Sequence, residues 1–93
     1  MGTYAVDVYD AADYGAPVAT LRQGLGLAVR HFRLAQGVSQ EGLAHSAGLD
    51  RTYVSGLERG TRNPTLESIE AIADALDVRV SRLFQRAETH LSR

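Results

Sequence analysis

The stretch Gln40–Arg59 constrains the fold of this chain more than any other part of the sequence. Its fifth residue is the small Ala44, which lets two helices pack closely, and its ninth is Gly48, which accepts the positive φ of a sharp turn. Val54 and Leu57 stand fifteenth and eighteenth, a spacing that packs one helix face against a core. We therefore predict two short helices joined by a tight turn, with the second helix projecting from the body of the domain.

This arrangement is that of a helix-turn-helix, in which the second helix enters the major groove of DNA. The charge distribution agrees, although the whole chain has a net charge of −1. Residues 21–62 hold six arginines and three acidic residues, whereas residues 1–20 hold three aspartates and no basic residue. The field around the motif is thus positive, which favours binding to phosphates.

Capping residues place the ends of the other helices. Apolar residues three or four apart predict a first helix from residue 21, which Gly37 ends. Ser39, Asp50 and Thr65 are predicted N-caps of helices two, three and four, and Gly60 ends helix three.

These segments predict an all-α, five-helix, repressor-like domain over residues 21–87, with the helix-turn-helix at helices two and three. Residues 88–93 are predicted to be a frayed tail. Residues 1–20 differ in composition from the rest and are predicted to be an arm, either flexible or a short strand.

Several classes of protein are excluded by what the sequence lacks. Without cysteine there is neither a disulfide nor a thiolate metal site, and His31, His45 and His90 lack ligand-like spacing. No nucleophile motif or phosphate-binding glycine loop is present, so we predict a protein that is not an enzyme, with no cofactor and no metal. No membrane span or secretory signal is visible, and we expect a cytoplasmic protein.

The segment SQEGLAHSAGLDRTYVSGLERGTRNPTLESIEAIADAL resembles the Xre family of phage-repressor and Cro-type DNA-binding domains. The resemblance covers residues 25–84 and includes Ser-Gln-Glu, Leu-Ala, Gly-Leu, Glu-Arg-Gly and Asn-Pro. Within the family, LDRTYVSGLERGTRNPTL is most similar to the controller proteins of restriction-modification systems. The resemblance implies a DNA-binding transcriptional regulator that acts as a homodimer.

The predicted base-reading residues follow from a helical wheel of the second motif helix. Opposite its core-facing side, the wheel places Thr52, Ser55, Gly56 and Arg59, and Arg51 reaches forward from the N-terminal end. Glycine on this side either lets the helix sit deeper in the groove or is simply tolerated. We predict base contacts from Arg51, Thr52, Ser55 and Gly56.

Phosphate contacts are predicted from residues that flank these. The resemblance implies that Gln40 contacts a phosphate and braces the first turn of the recognition helix, the alternative being an ordinary exposed glutamine. Arg62 lies in the loop before helix four and is either a phosphate ligand or a solvated charge. The predicted phosphate contacts are Gln40, Tyr53, Arg59, Arg62, Asn63 and Thr65.

One charged pair is predicted to be structural. The wheel turns Glu58 toward helix one, where Arg33 offers a partner. The resembled family commonly pairs the equivalent positions inside the domain. We therefore predict an Arg33–Glu58 ion pair that braces the fold.

Apolar residues near the end of the chain are candidates for a dimer interface. Val80, Leu83 and Phe84 are the predicted interface residues, the alternative being that they and Leu76 are all core. We expect Leu76 and Leu83 to face inward, with Val80 and Phe84 partly in the interface.

A two-fold dimer would place its recognition helices about 34–36 Å apart on an inverted repeat of double-stranded DNA. The leading hypothesis is an autoregulatory regulator, which represses by blocking RNA polymerase or activates by contacting it. The alternative is an antitoxin-type DNA-binding protein, in which Tyr4, Val6 and Val8 of the arm bind a partner protein by strand addition.

Overall fold

The computed structural model describes residues 17–91, and this part of the chain forms five α-helices. Residues 1–16, which make up most of the predicted arm, and residues 92–93 lie outside the described residues. The prediction of an all-α, five-helix domain is confirmed, and the second and third helices form the predicted helix-turn-helix. The helices are α1 (Leu21–Ala35), α2 (Gln40–Ala47), α3 (Arg51–Glu58), α4 (Leu66–Leu76) and α5 (Val80–Thr89).

Side-chain caps start the first four helices. Ser39, Asp50 and Thr65 each accept a hydrogen bond from a backbone N–H of the first turn of α2, α3 and α4, as predicted. Thr20 does the same for α1. Because the first N–H groups of a helix have no partner within it, each cap supplies a hydrogen-bond acceptor to a group that the helix leaves unpaired.

The turn between α2 and α3 depends on Gly48. Its φ is 71°, in the left-handed region, where a side chain is strained. The backbone N–H of Gly48 donates to the carbonyl of His45, and that of Leu49 donates to Ala44 at 2.8 Å. This closed turn fixes α3 against α2. Gly37 and Gly60, the predicted helix ends, also have positive φ.

α1 lies at the centre of the domain and packs against both α3 and α5. Two glycines allow the close approach. A Cβ atom on Gly26 would lie 2.4 Å from the carbonyl oxygen of Leu57 in α3, and one on Gly24 would lie 2.5 Å from that of Ala87 in α5. The fully buried apolar side chains around them include Val29, Leu43, Val54, Leu57, Ile72, Leu76 and Leu83.

The two ends of the described chain meet beside α5. α5 continues to Thr89, and the backbone N–H of Val18 donates to the carbonyl of His90 at 2.9 Å. Val18 also forms an isolated parallel bridge with Leu91. The domain bounds at residues 21 and 87 and the fraying of residues 88–93 stay predictions.

His31 and His90 lie outside the helix-turn-helix. Burial lowers the pKa of both imidazoles, and the nearby positive charge of Arg86 lowers each pKa further. Within residues 17–91, no cluster of three or more potential metal ligands occurs. A search of the same residues finds no helix with the length and apolar character to cross a membrane.

Candidate DNA-binding surface

The N-terminal end of α3 presents the clearest candidates for reading bases. Arg51 and Thr52 open the helix and both are exposed. Asp50 accepts from the backbone N–H of Thr52 at 3.4 Å, so the cap orders the turn that carries them. Arginine at this place presents parallel donors that match the two acceptors of a guanine edge.

Ser55 lies one turn further along α3 and is bonded to Arg59, the first residue after the helix. The Arg59 guanidinium donates to Ser55 Oγ. Ser55 is half-buried and Arg59 is exposed. The hydroxyl is therefore already held, and Arg59 is the more accessible of the two for a phosphate.

The prediction that Gly56 faces outward with these residues was wrong. Gly56 is buried, because the loop that follows α3 folds back over it. A Cβ atom at this residue would lie 2.7 Å from Arg62 Cγ and 3.3 Å from Thr61 Oγ1. The helical wheel described α3 alone and could not include a loop that covers one of its outer sides.

Tyr53 is turned toward α4. Its hydroxyl hydrogen-bonds with Ser68 Oγ at 2.9 Å, so the group predicted to reach a phosphate has a partner inside the protein. The Arg62 guanidinium lies over the Tyr53 ring, with Cζ 5.1 Å from the ring centroid. Tyr53 thus joins α3 to α4 and supports the side chain of the loop arginine.

The loop between α3 and α4 presents two further candidates, Arg62 and Asn63, which are both exposed. The loop is attached to α1 as well, because Arg22 Nε donates to the carbonyl of Gly60 at 2.9 Å. Thr65 is exposed, but its hydroxyl accepts from the backbone N–H of Ser68 at 3.1 Å as a cap.

A buried cluster of charges lies behind α3. The predicted Arg33–Glu58 ion pair is present. Arg33 Nε donates to Glu58 Oε2 at 2.6 Å, and Arg33 Nη2 donates to Oε1 at 2.9 Å. Gln40 Nε2 donates to the same Oε1 at 3.0 Å, so Gln40 braces the last turn of α3 rather than its first. Arg30 is also buried, with Nη1 4.0 Å from Glu58 Oε1.

Arg30 is the residue that sequence reasoning missed in this cluster. It lies on the buried face of α1 and is 4% exposed. Its spacing of three residues from Arg33 was the available signal, because side chains three apart share a helix face. A buried carboxylate can satisfy more than one cation, which the pairwise prediction did not consider.

The exposed charge of the helix-turn-helix region remains positive after this cluster is set aside. Four arginines of residues 21–62 are exposed, against two exposed acidic residues, Glu41 and Asp50. Three of the four arginines lie in α3 or the adjoining loop. The exposed arginines are Arg22, Arg51, Arg59 and Arg62.

The predicted dimer residues divide between core and surface. Leu83 is completely buried in the single chain, so it faces inward as expected and is a core residue rather than an interface residue. Val80 is 37% exposed, and Phe84 is half-buried. Phe84 lines an open groove of about 270 Å³ together with Leu21, Leu25 and Ile69.

Two helices fixed by a tight turn, with an exposed arginine at the tip of the second, define a helix-turn-helix DNA-binding protein. Sequence comparison agrees with this class. The chain belongs to the helix-turn-helix family, which it matches over residues 29–83.

The similar proteins are regulators. The chain is 49% identical over 59 residues to the control protein C.BamHI of Bacillus amyloliquefaciens, a match that covers 62% of this chain and 73% of the relative. It is similar in structure to the restriction-modification controller protein C.AhdI of Aeromonas hydrophila, with a TM-score of 0.65, 48% identity, and coverage of 66% of this chain and 92% of that one. The clp gene regulator ClgR of Corynebacterium glutamicum gives a TM-score of 0.78 at 32% identity, covering 83% of this chain and 99% of that one.

The protein is therefore a DNA-binding transcriptional regulator of the helix-turn-helix family.

Proposed function

We propose that this chain is a controller-type regulator that binds an inverted-repeat operator upstream of its own gene as a homodimer. The observation that carries the proposal is the exposed Arg51 at the capped N-terminus of α3, with Thr52 beside it. The similarity to control proteins of Bacillus amyloliquefaciens and Aeromonas hydrophila supports the controller role.

The exposure of each side chain determines the contact with DNA that we assign to it. Arg51 and Thr52 read base edges, because both are exposed at the tip of α3. Arg59, Arg62 and Asn63 hold the phosphates on either side and fix the register of the helix in the groove. Ser55 contributes through its own O–H, which is not used when its oxygen accepts from Arg59, and Thr65 contributes through the exposed start of α4.

Gln40 and Tyr53 support this surface from within the protein. Gln40 is half-buried and bonded to Glu58, and the Tyr53 hydroxyl is bonded to Ser68. Neither bond uses all the donors of the side chain, because Gln40 Nε2 carries a second N–H and the Tyr53 hydroxyl can still donate where Ser68 donates to it. We therefore assign both residues a supporting role beside the phosphate contacts predicted from the sequence.

A second copy of the chain is part of the proposal, because one eight-residue recognition helix covers too little DNA for tight specific binding. The proposed interface is the apolar face that includes Val80 and Phe84, which lie four residues apart on α5 and so share one side of that helix. Leu21, 45% exposed, lies beside Phe84 on the groove and extends this face.

The activity proposed is binding, and no catalytic step is part of it. A dimer on the operator represses by occluding RNA polymerase and activates where it stands beside the promoter and contacts the enzyme. The antitoxin alternative depends on Tyr4, Val6 and Val8, which lie outside the described residues, and it stays a prediction.

A footprint of the full chain on DNA upstream of its gene tests the proposal. We expect two protected half-sites of inverted sequence, with centres about 10–10.5 base pairs apart or a multiple of this, on one side of the duplex. Sedimentation of the complex is expected to show two chains per operator. Protection of a lone half-site by one chain, or no upstream protection, would contradict it.

A further inference from the structure

We propose that Gly56 is a positioning residue for Arg62, which it keeps aligned with a DNA phosphate by leaving room for the Arg62 side chain on the surface of α3. This inference rests on the proposed function, because that function makes Arg62 a phosphate ligand.

The first observation is the contact between loop and helix at Gly56. Thr61 donates twice to the carbonyl of Gly56, from its backbone N–H at 2.9 Å and from its hydroxyl at 3.1 Å. The Arg62 side chain then crosses the place that a Cβ atom would occupy, since such an atom would lie 2.7 Å from Arg62 Cγ. Atoms at that distance overlap, so any side chain at residue 56 displaces Arg62.

The second observation is that the end of the Arg62 side chain is held as well. Its guanidinium lies over the Tyr53 ring at 5.1 Å from the centroid, and the Tyr53 hydroxyl is bonded to Ser68. Tyr53 and Gly56 lie three residues apart on α3, so they share one side of the helix. The exposed Arg62 therefore lies along this side of α3, with its Cγ beside Gly56 and its guanidinium over the Tyr53 ring.

This arrangement explains why glycine occupies the middle of α3. Helix propensity alone favours alanine, because glycine has more backbone freedom to lose on folding. Holding a long side chain in place before DNA binds lowers the conformational entropy cost of binding. Glycine at residue 56 therefore lowers the intrinsic stability of α3 but leaves Arg62 ordered as a phosphate ligand.

The test is a double-mutant cycle of Gly56→Ala and Arg62→Ala, measured by fluorescence anisotropy on an upstream duplex and on a shuffled one over a salt series. We expect Gly56→Ala to weaken binding about two- to tenfold for each bound chain on both duplexes, the factor for ordering one long side chain. The slope of log K against log salt should fall in magnitude by about one for each bound chain whose displaced guanidinium no longer neutralises its phosphate. In the Arg62→Ala background, Gly56→Ala should have no further effect.

Two controls separate positioning from damage to the fold. Arg82→Ala removes an arginine that also lies over an aromatic ring, that of Phe32 at 5.7 Å, but on α5, outside the helix-turn-helix. It should leave the salt slope unchanged. The melting temperature of Gly56→Ala should stay close to that of the wild type, because the higher helix propensity of alanine offsets the lost contact between Arg62 and the Tyr53 ring.

A measurement on the free protein tests the geometry without DNA. The Tyr53 ring should shift the NMR signals of the Arg62 side-chain protons upfield, and Gly56→Ala should abolish that shift.

Three outcomes would overturn the inference: unchanged affinity and slope in Gly56→Ala, an unchanged upfield shift, or a loss that persists without Arg62. The last would place residue 56 against the DNA itself. Equal wild-type binding to both duplexes would contradict the proposed function instead, and the Gly56–Arg62 coupling would still be measurable because phosphate contacts are independent of sequence.

Discussion

Glu58 shows how one buried carboxylate determines the behaviour of several residues. It is 1% exposed and accepts from Arg33 and Gln40, with Arg30 within 4.0 Å. A helical wheel and the family resemblance were enough to predict the Arg33–Glu58 pair. Arg30 and Gln40 were not assigned to it, because their association with Glu58 depends on how α1, α2 and α3 pack together.

Removal of Arg33 should leave the Glu58 carboxylate buried without its two shortest hydrogen bonds to a cation, with only the longer contact of Arg30 to balance its charge. We expect Arg33→Met to lower the free energy of unfolding by about 3–5 kcal/mol, as measured by urea denaturation. The double variant Arg33→Met with Glu58→Leu should lose less than the sum of the two single changes, because the Arg33–Glu58 charge pair is then removed as a unit and what remains lost is the contact of Arg30 with Glu58. Additive losses would show that the two side chains act independently and would contradict this account.

At the scale of the elements, the features that could be predicted from the sequence are those that depend on neighbouring residues. The caps Ser39, Asp50 and Thr65 and the turn at Gly48 lie where expected, because each depends on residues a few positions away. The burial of Gly56 was not predicted, because it depends on the path of a loop. The hydrogen bond between Val18 and His90 was not predicted for a related reason, since the two residues are far apart in the sequence.

The contact between α1 and α3 gives a prediction about an element. Gly26→Ala should destabilise the fold by about 1–3 kcal/mol in urea denaturation, since the new Cβ would lie 2.4 Å from a backbone carbonyl oxygen that cannot rotate away. Gly42→Ala in α2 is the matched control, because its nearest contact is the Ser39 hydroxyl at 3.2 Å. Equal stability of the two variants would mean that α1 and α3 are less closely packed than described.

At the scale of the whole molecule, the proposed dimer face can be tested apart from the fold. Val80→Glu places a charge on that face at the first residue of α5, where an acidic side chain favours the helix. We expect the variant to sediment as a folded monomer at micromolar concentration and to bind the operator weakly. Ser81→Glu adds the same charge at the next, exposed residue and should remain dimeric. A dimeric Val80→Glu would place the interface elsewhere.

The central claim is that α3 reads DNA sequence through Arg51, and anisotropy on the upstream and shuffled duplexes, for wild type and Arg51→Ala, tests it most directly. The account predicts that the wild type prefers the upstream duplex at physiological salt, and that the variant loses about 1–3 kcal/mol of that discrimination for each half-site contact. Binding to the shuffled duplex should change little. An Arg51→Ala variant that keeps the full preference for the upstream duplex would contradict the account.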